Sequence, residues 1–207
     1  MTASSSATSP ARRLAELTLS LIERTGGLRQ VNLREVARLA NCSHTNVYNY
    51  FDSFEDLLWA TLDLAIERLV AHTEAAMEGQ TRPEGLFRVF IDSQVDFALS
   101  HPGCYRFIWL EGLSGTPPAE VAERIQRTPR LFAETVRNTV APTAKPANVE
   151  RAARIIHGYL HGEICKLICA RLVGPMGADQ AHQAQVDRAR KTIRSDVQML
   201  AKQLVGP

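Results

Sequence analysis

Cysteine is scarce. The four in 207 residues, Cys42, Cys104, Cys165 and Cys169, lie too far apart for a disulfide framework, which points to a reducing cytoplasm. Long apolar runs are missing, so neither a membrane span nor a membrane partner is expected. The first ten residues, MTASSSATSP, have no basic start and no apolar stretch behind them, and read as a flexible tail. Arg12-Arg13 would suit a twin-arginine export signal, but Glu16 and Glu23 interrupt the segment that would have to be apolar. A surplus of one charge is also absent. The net is +2; residues 1–51 carry six Arg against three Glu, and Asp52, Glu55 and Asp56 bring the first 60 residues back to zero. Residues 151–207 hold nine Lys or Arg against four acids, so bulk charge does not single out a polyanion-binding segment. There is no nucleophile beside a base, no phosphate-cradling glycine loop and no pair of carboxylates at a credible spacing. Catalysis has no visible seat, and no cofactor is expected.

What the chain does have is helical periodicity. Its 45% hydrophobic and 22% charged residues are ordinary for a globular protein, and its length allows burial of roughly 70% of the unfolded surface. Leu14, Leu17, Leu21 and Ile22 stripe a first helix of about fourteen residues that stops at Gly26-Gly27. Asn32 caps a second, with Leu33, Val36, Ala37 and Ala40 in period. The break Asn41-Cys42-Ser43 puts Asn where a left-handed residue is needed and Ser43 where a third helix, His44–Tyr50, needs its cap. Ser53 caps a long fourth helix through Leu57, Leu58, Thr61, Leu62, Ala65 and Leu69 to about Met77. Phe87, Phe90, Ile91, Val95 and Ala98 show helical spacing; Phe87, Val89 and Ile91 alone would fit a strand, but length favours helix. Further helices are expected over Tyr105–Leu113, from Gly115–Pro118 to Val140, over 149–173 and, past a Gly-Pro-Met-Gly turn at 174–177, over about 179–205. The class is all-α, with about nine helices and no internal repeat.

Two short helices joined by a three-residue turn, behind a supporting helix, make the layout of a helix-turn-helix reader whose second helix enters the DNA major groove. Val47 and Phe51 are placed to dock that helix, which leaves His44, Thr45, Asn46, Tyr48, Asn49 and Tyr50 outside. With Ser43 they form an uncharged, hydrogen-bonding edge suited to base edges and phosphate oxygens, where a merely solvated face would carry Lys and Glu. Other readings stay open: Tyr48 as a buried ring, the remaining five as solvent-facing groups, and Arg34 as a phosphate contact or an ordinary surface Arg. Arg12 and Arg13 reach DNA from the first helix or belong to a solvated tail.

VNLREVARLANCSHTNVYNYFDSFEDLL resembles the DNA-binding motif of the tetracycline-repressor (TetR) family, in which I-A-x-x-A-G-V-S precedes a pattern close to L-Y-x-H/Y-F-x-S-K-E-x-L. Val36-Ala37, Ala40, Ser43, Val47, Tyr48, Tyr50, Phe51, Ser53, Glu55 and Leu57 stand at matching positions over about 50 residues. Asn41 replaces the usual Gly, and Phe54 replaces a Lys that grips a phosphate. Losing that cation lowers the salt slope by roughly one unit without erasing sequence choice. The resemblance implies a DNA-binding head at 11–57 and a helical body at 58–207 that pairs two subunits and holds a small-molecule pocket. It further implies a ligand-responsive transcriptional regulator, a repressor first of all, acting as a homodimer on a pseudo-palindromic double-stranded operator. HPGCYRFIW (101–109) and His157-Gly158 resemble a C-terminal subclass of the family.

Dimerisation has its own physical argument, since two half-sites need two reading helices about 34 Å apart and one chain has one such helix. Segment 149–173 is apolar around most of its circumference, and Gly158 and Gly162 each cost a helix interior up to about 1 kcal/mol, which points to close approach by another helix. These glycines and Ile193, Val197 and Leu200 of the last helix are the expected interface, with packing inside the chain or a pocket wall as alternatives. His157, His161, Cys165 and Cys169 repeat at i+4, but twelve residues span about 18 Å and each step drifts about 40°. One helix cannot close all four around one ion. Only neighbouring pairs could bind, with help from another helix or the partner subunit; buried thiols and satisfied histidines are expected, and no metal site. Phe87, Phe90, Phe97, Tyr105, Trp109 and Phe132, with His157 or His161 as polar handles, are candidate pocket residues that read equally as core. The rival function is a helical small-molecule carrier or metal-sensing dimer whose DNA head has decayed, supported by Phe54 and the neutral head charge.

Overall fold

Caps and glycine stops divide the chain into nine α-helices in a computed structural model that describes residues 9–140, 142–173 and 179–205. They are α1 (Pro10–Thr25), α2 (Leu33–Leu39), α3 (His44–Val47), α4 (Phe54–Met77), α5 (Pro83–Ser100), α6 (Pro102–Trp109), α7 (Ala119–Val140), α8 (Pro146–Val173) and α9 (Asp179–Val205). A 3₁₀ turn fills Leu28–Gln30, and no strand occurs among the described residues. Residues 1–8 of the expected tail and the expected turn at 174–177 lie outside those described.

Local chemistry accounts for the boundaries. Ser9 Oγ accepts from the Arg12 amide at 3.2 Å with Pro10 behind it, a position where the missing N–H costs nothing. Gly26 closes α1 in the left-handed region at φ 71°. Ser53 Oγ accepts from the Asp56 amide at 3.1 Å and opens α4.

Two expectations need correction. The third helix is α-helical only over His44–Val47; Tyr48, Asn49 and Tyr50 continue it through amide bonds to the carbonyls three residues back, at 3.2, 3.3 and 3.0 Å. The helix expected at Tyr105–Leu113 instead runs over Pro102–Trp109, because Pro102 starts it and Glu23 of α1 holds its first amides.

The chain forms two compact units. The first comprises the residues up to Arg68 and His101–Ile125, so it contains the expected 11–57 head; the second comprises Leu69–Ser100 and the chain from Gln126 onward. The division inside α7 falls at Ile125, whose carbonyl would have taken the amide hydrogen that Pro129 lacks. Leu19, Ile22, Val36, Val47, Leu57 and Phe107 are fully buried in the first unit, and Ile91, Phe97, Ile156, Ile164, Ile193 and Val197 in the second. Ile193 and Val197, expected at a dimer interface, are thus covered by their own chain, where α9 packs on α8 and α5. The Arg194–Asp92 and Arg190–Asp96 ion pairs tie α9 to α5. Buried hydroxyls bond back along their own helices: Thr18 to the Leu14 carbonyl at 2.8 Å, and Thr61 to Leu57 at 2.7 Å.

Candidate nucleic-acid interface

The reading edge is held from behind by one valine. Val36 and Ala37 bury the inner face of α2, and Val47, 1% exposed, docks α3 on the same core, a burial worth about 2 kcal/mol. Asn32 Oδ1 accepts from the Glu35 amide at 3.0 Å to start α2. Asn41 then takes φ 53°, the one non-glycine residue with positive φ among those described, and the Cys42 amide bonds the Ala37 carbonyl at 3.0 Å. That left-handed residue turns the chain so that Ser43 Oγ can accept from the Asn46 amide at 3.2 Å.

His44, Thr45, Asn46, Tyr48, Asn49 and Tyr50 are all exposed, Tyr48 at 49% and Tyr50 at 43%, as are Ser43 and Arg34. The Tyr48 ring is therefore on the surface rather than in the core. Asn49 Nδ2 donates to Asn46 Oδ1 at 2.8 Å, which orders two amides along one edge. Three nearby cations are engaged elsewhere. Arg38 forks onto Glu35 at 2.9 and 2.6 Å and holds that carboxyl below its ordinary range, and Arg24 adds a contact to Glu35 at 3.6 Å. Arg12 reaches Glu67 at 3.1 Å, and this hydrogen bond raises the guanidinium above its already high value. Phe54, in place of a phosphate-gripping Lys, is half-buried in the first turn of α4.

Three residues that composition and periodicity did not single out join α6 to the head. Glu23 accepts from the amides of Gly103 at 3.3 Å and Cys104 at 2.8 Å, so a carboxylate sits on the α6 N-terminus. Gly103 allows that contact: a Cβ there would lie 2.6 Å from the Ile22 carbonyl oxygen. Beyond α6, Glu111 accepts from the Leu28 amide at 2.9 Å and fills the space beside Gly27. One sign was available in the sequence, because an acid in the last turn of a helix opposes the macrodipole and needs a partner elsewhere. Burial, then Glu23, push the Cys104 thiol up to about 12, so it is an inert packing group.

The candidate pocket residues divide between the two units. Tyr105 and Trp109 stand 6.5 Å apart in the first. Phe87 and Phe97 are buried in the second, where Phe90 and Phe132 meet edge-on at 5.0 Å, Phe132 meets His157 at 5.3 Å, and His157 stacks on His161 at 6.2 Å. Burial lowers both imidazoles below their ordinary range, His157 also through its neighbour His161. A polar cavity of about 580 Å³ lies elsewhere, between the α4–α5 turn at Gly79–Arg82 and Gln198 of α9, and none of the candidate pocket residues lines it.

Gly158 and Gly162 are exposed, and a Cβ on either would meet nothing within 4 Å in the chain. On α9, Met199 is exposed and Leu200 half-buried. Among the described residues no group of three metal-ligating side chains stands together in one chain, and no helix is long and apolar enough to cross a membrane.

Comparison with known proteins bears on this arrangement. The family model described as "Tetracyclin repressor-like, C-terminal domain" matches residues 87–192, half of the chain. Similar solved structures include a fatty acid degradation regulator, FadR, from Bacillus halodurans, with TM-score 0.63, 15% identity and 97% of each chain covered. A protein from Rhodococcus sp. RHA1 aligns at TM-score 0.66 and 22% identity over 92% of this chain and 98% of that one. A TetR-family transcription regulator from Shewanella sp. PV-4 aligns at 0.66 and 16% over 92% and 96%. At these identities the likeness shows a shared fold. No curated protein matches the chain in sequence.

Proposed function

The chain belongs to the tetracycline-repressor family of transcriptional regulators, and from that premise we propose that it is a ligand-responsive repressor binding a pseudo-palindromic operator as a homodimer. The observation that carries the reading is the uncharged edge His44, Thr45, Asn46, Tyr48, Asn49 and Tyr50, exposed on a Ser43-capped turn docked through Val47. Tyr48 and Tyr50 supply phenolic donors for phosphate, Thr45 and Asn46 reach base edges, and Arg34 approaches the backbone from α2.

Two copies pair through the outward face of α8, where Gly158 and Gly162 admit a second helix, with Met199 and Leu200 of α9 beside it. A small molecule held among Phe90, Phe132 and His157 favours the conformation whose reading heads are wrongly spaced, whereas DNA favours the other. Reciprocal coupling then releases the operator. Glu23 and Glu111 fasten α6 to α1 and to the α1–α2 turn, so a shift of α6 pulls on the head. A pendulum-like movement of α4 accompanies it. No step calls for catalysis.

Selection from a randomised duplex pool tests the reading. It should enrich a two-fold symmetric site with half-sites about 34 Å apart, and Tyr48→Ala should weaken binding to that site about tenfold with the dimer intact. A folded dimer that enriches no site, or shows no salt-dependent band, would favour the decayed-head alternative.

A further inference from the structure

The outward face of α8 carries chemistry that operator binding does not use. Residues 158, 162, 165 and 169 follow one another at steps of four, three and four, the spacing of a seam between two helices. In this chain they are Gly, Gly, Cys and Cys. Gly158, Gly162 and Cys169 are exposed and Cys165 is half-buried, while Ala152, Ile156, Leu160 and Ile164 bury the opposite side. Side chains this small let a facing helix settle at the near end of the usual 8–10 Å axial separation, roughly 8 Å.

His161 flanks this seam, and its Nε2 lies 3.6 Å from Cys165 Sγ. That is an ordinary length for a thiol–imidazole hydrogen bond, and shared coordination of one ion accommodates it as well. With metal–nitrogen and metal–sulfur bonds of about 2.0 and 2.3 Å and a tetrahedral angle of about 109°, the two donor atoms lie about 3.5 Å apart. The pair thus already spans one edge of a zinc-type tetrahedron. His157 stacks on His161 with ring planes 5° apart and itself rests against Phe132, which fixes the plane of the ligand ring.

A single chain offers two donors; a closed site needs four. In an isologous seam residue i meets residue j and j meets i, and only residues beside the two-fold axis meet their own copies; an axis crossing α8 between Gly162 and Cys165 would set the two His161–Cys165 pairs against each other. We propose that His161 and Cys165 from two copies of this chain form a shared four-coordinate site for zinc or a similar borderline-soft divalent cation at the subunit interface. This rests on the α8-mediated dimer put forward above. The donor set, two thiolates and two imidazoles, is that of a closed structural site with no open position, so the ion joins subunits and activates no water. Each Cys165 gives up its proton on binding, which makes uptake weaken in acid.

Cobalt(II) titration of the reduced, metal-free full-length chain, with sedimentation of the same samples, decides the matter. The expected result is a thiolate-to-cobalt charge-transfer band with tetrahedral ligand-field bands, saturating at one cobalt per two chains and abolished by zinc. Cys165→Ser and, independently, His161→Gln should remove the bands while circular dichroism stays unchanged; Cys169→Ser should keep them. A dimer that gives no bands overturns the site and leaves the dimer standing. A chain that stays monomeric with and without metal overturns both. One cobalt per chain, or bands that survive Cys165→Ser or vanish in Cys169→Ser, overturn the ligand assignment.

Discussion

The reading edge at His44–Tyr50 and the outward face of α8 are both exposed, yet they are built from opposite materials. The first presents hydroxyls, amides and an imidazole, several ordered by bonds within the edge, such as Asn49 to Asn46 at 2.8 Å. The second presents two glycines and a cysteine, flanked by the exposed cations Arg151, Arg154 and Lys166, over an apolar underside. Hydrogen-bonding groups left in water suit a hydrated, charged partner whose contacts are polar and water-bridged. A smooth strip suits another helix, whose gain is close packing. Exposure alone therefore does not identify a partner; the chemistry of what is exposed does.

The two regions also differ in what holds them, and mutation can break the comparison. The largest effect is expected on the inner side of α8. Ile156→Ala removes a fully buried side chain and should cost about 2–5 kcal/mol in denaturant titration, with operator binding and dimerisation lost together. A cost below 1 kcal/mol would mean that this face does not anchor the second unit. Next comes Gly103→Ala, whose Cβ would lie 2.6 Å from backbone that cannot yield cheaply. The expected cost is about 1–3 kcal/mol, with hydrogen exchange rising first at the amides of Gly103 and Cys104 as Glu23 is displaced. Unaltered protection there would break the link drawn between α1 and α6.

The same contrast decides what a reader of the sequence could see. Asn32, Asn41 and Ser43 act on neighbours two to four residues away, so the turn before α3 was legible down to its left-handed residue. The all-helical class followed from apolar periodicity, and the family from the motif at Val36–Leu57, while the matching family model covers 87–192. Long-range partners stayed hidden. Glu23 meets Cys104 across 81 positions, which moved α6 one turn from where its apolar residues placed it and drew His101–Ile125 into the unit of the head. Ile193 and Val197 show why periodicity marks that a residue is buried but not by which chain: α8 and α5 of the same chain cover them. The open space above Gly158 and Gly162 needed coordinates.

Ser43→Ala sharpens the comparison from the other side. It deletes the bond to the Asn46 amide and should cost about 0.5–2 kcal/mol, confined to α3. Operator affinity should fall while the thermal transition of the second unit stays in place; an equal loss in both would contradict the local character of the head.

The smallest expected effect is a pH slope. Burial, then His161, hold His157 below its ordinary value, so in the range from there up to about pH 6.5 the unfolded chain binds a proton that the folded chain refuses. Stability from this group is fully present above about pH 6.5 and is lost as pH falls through the depressed folded value. His161, lowered by burial, acts in the same direction. Free carboxylates titrate near pH 4, so a melt series between pH 7.5 and about 5.5 isolates the imidazoles. The melting temperature should decline towards the acid end, and His157→Gln should flatten the decline. An unchanged slope in that variant would mean that His157 is protonated as readily in the fold as outside it, and that the Phe132–His157–His161 stack is wetter than its burial implies.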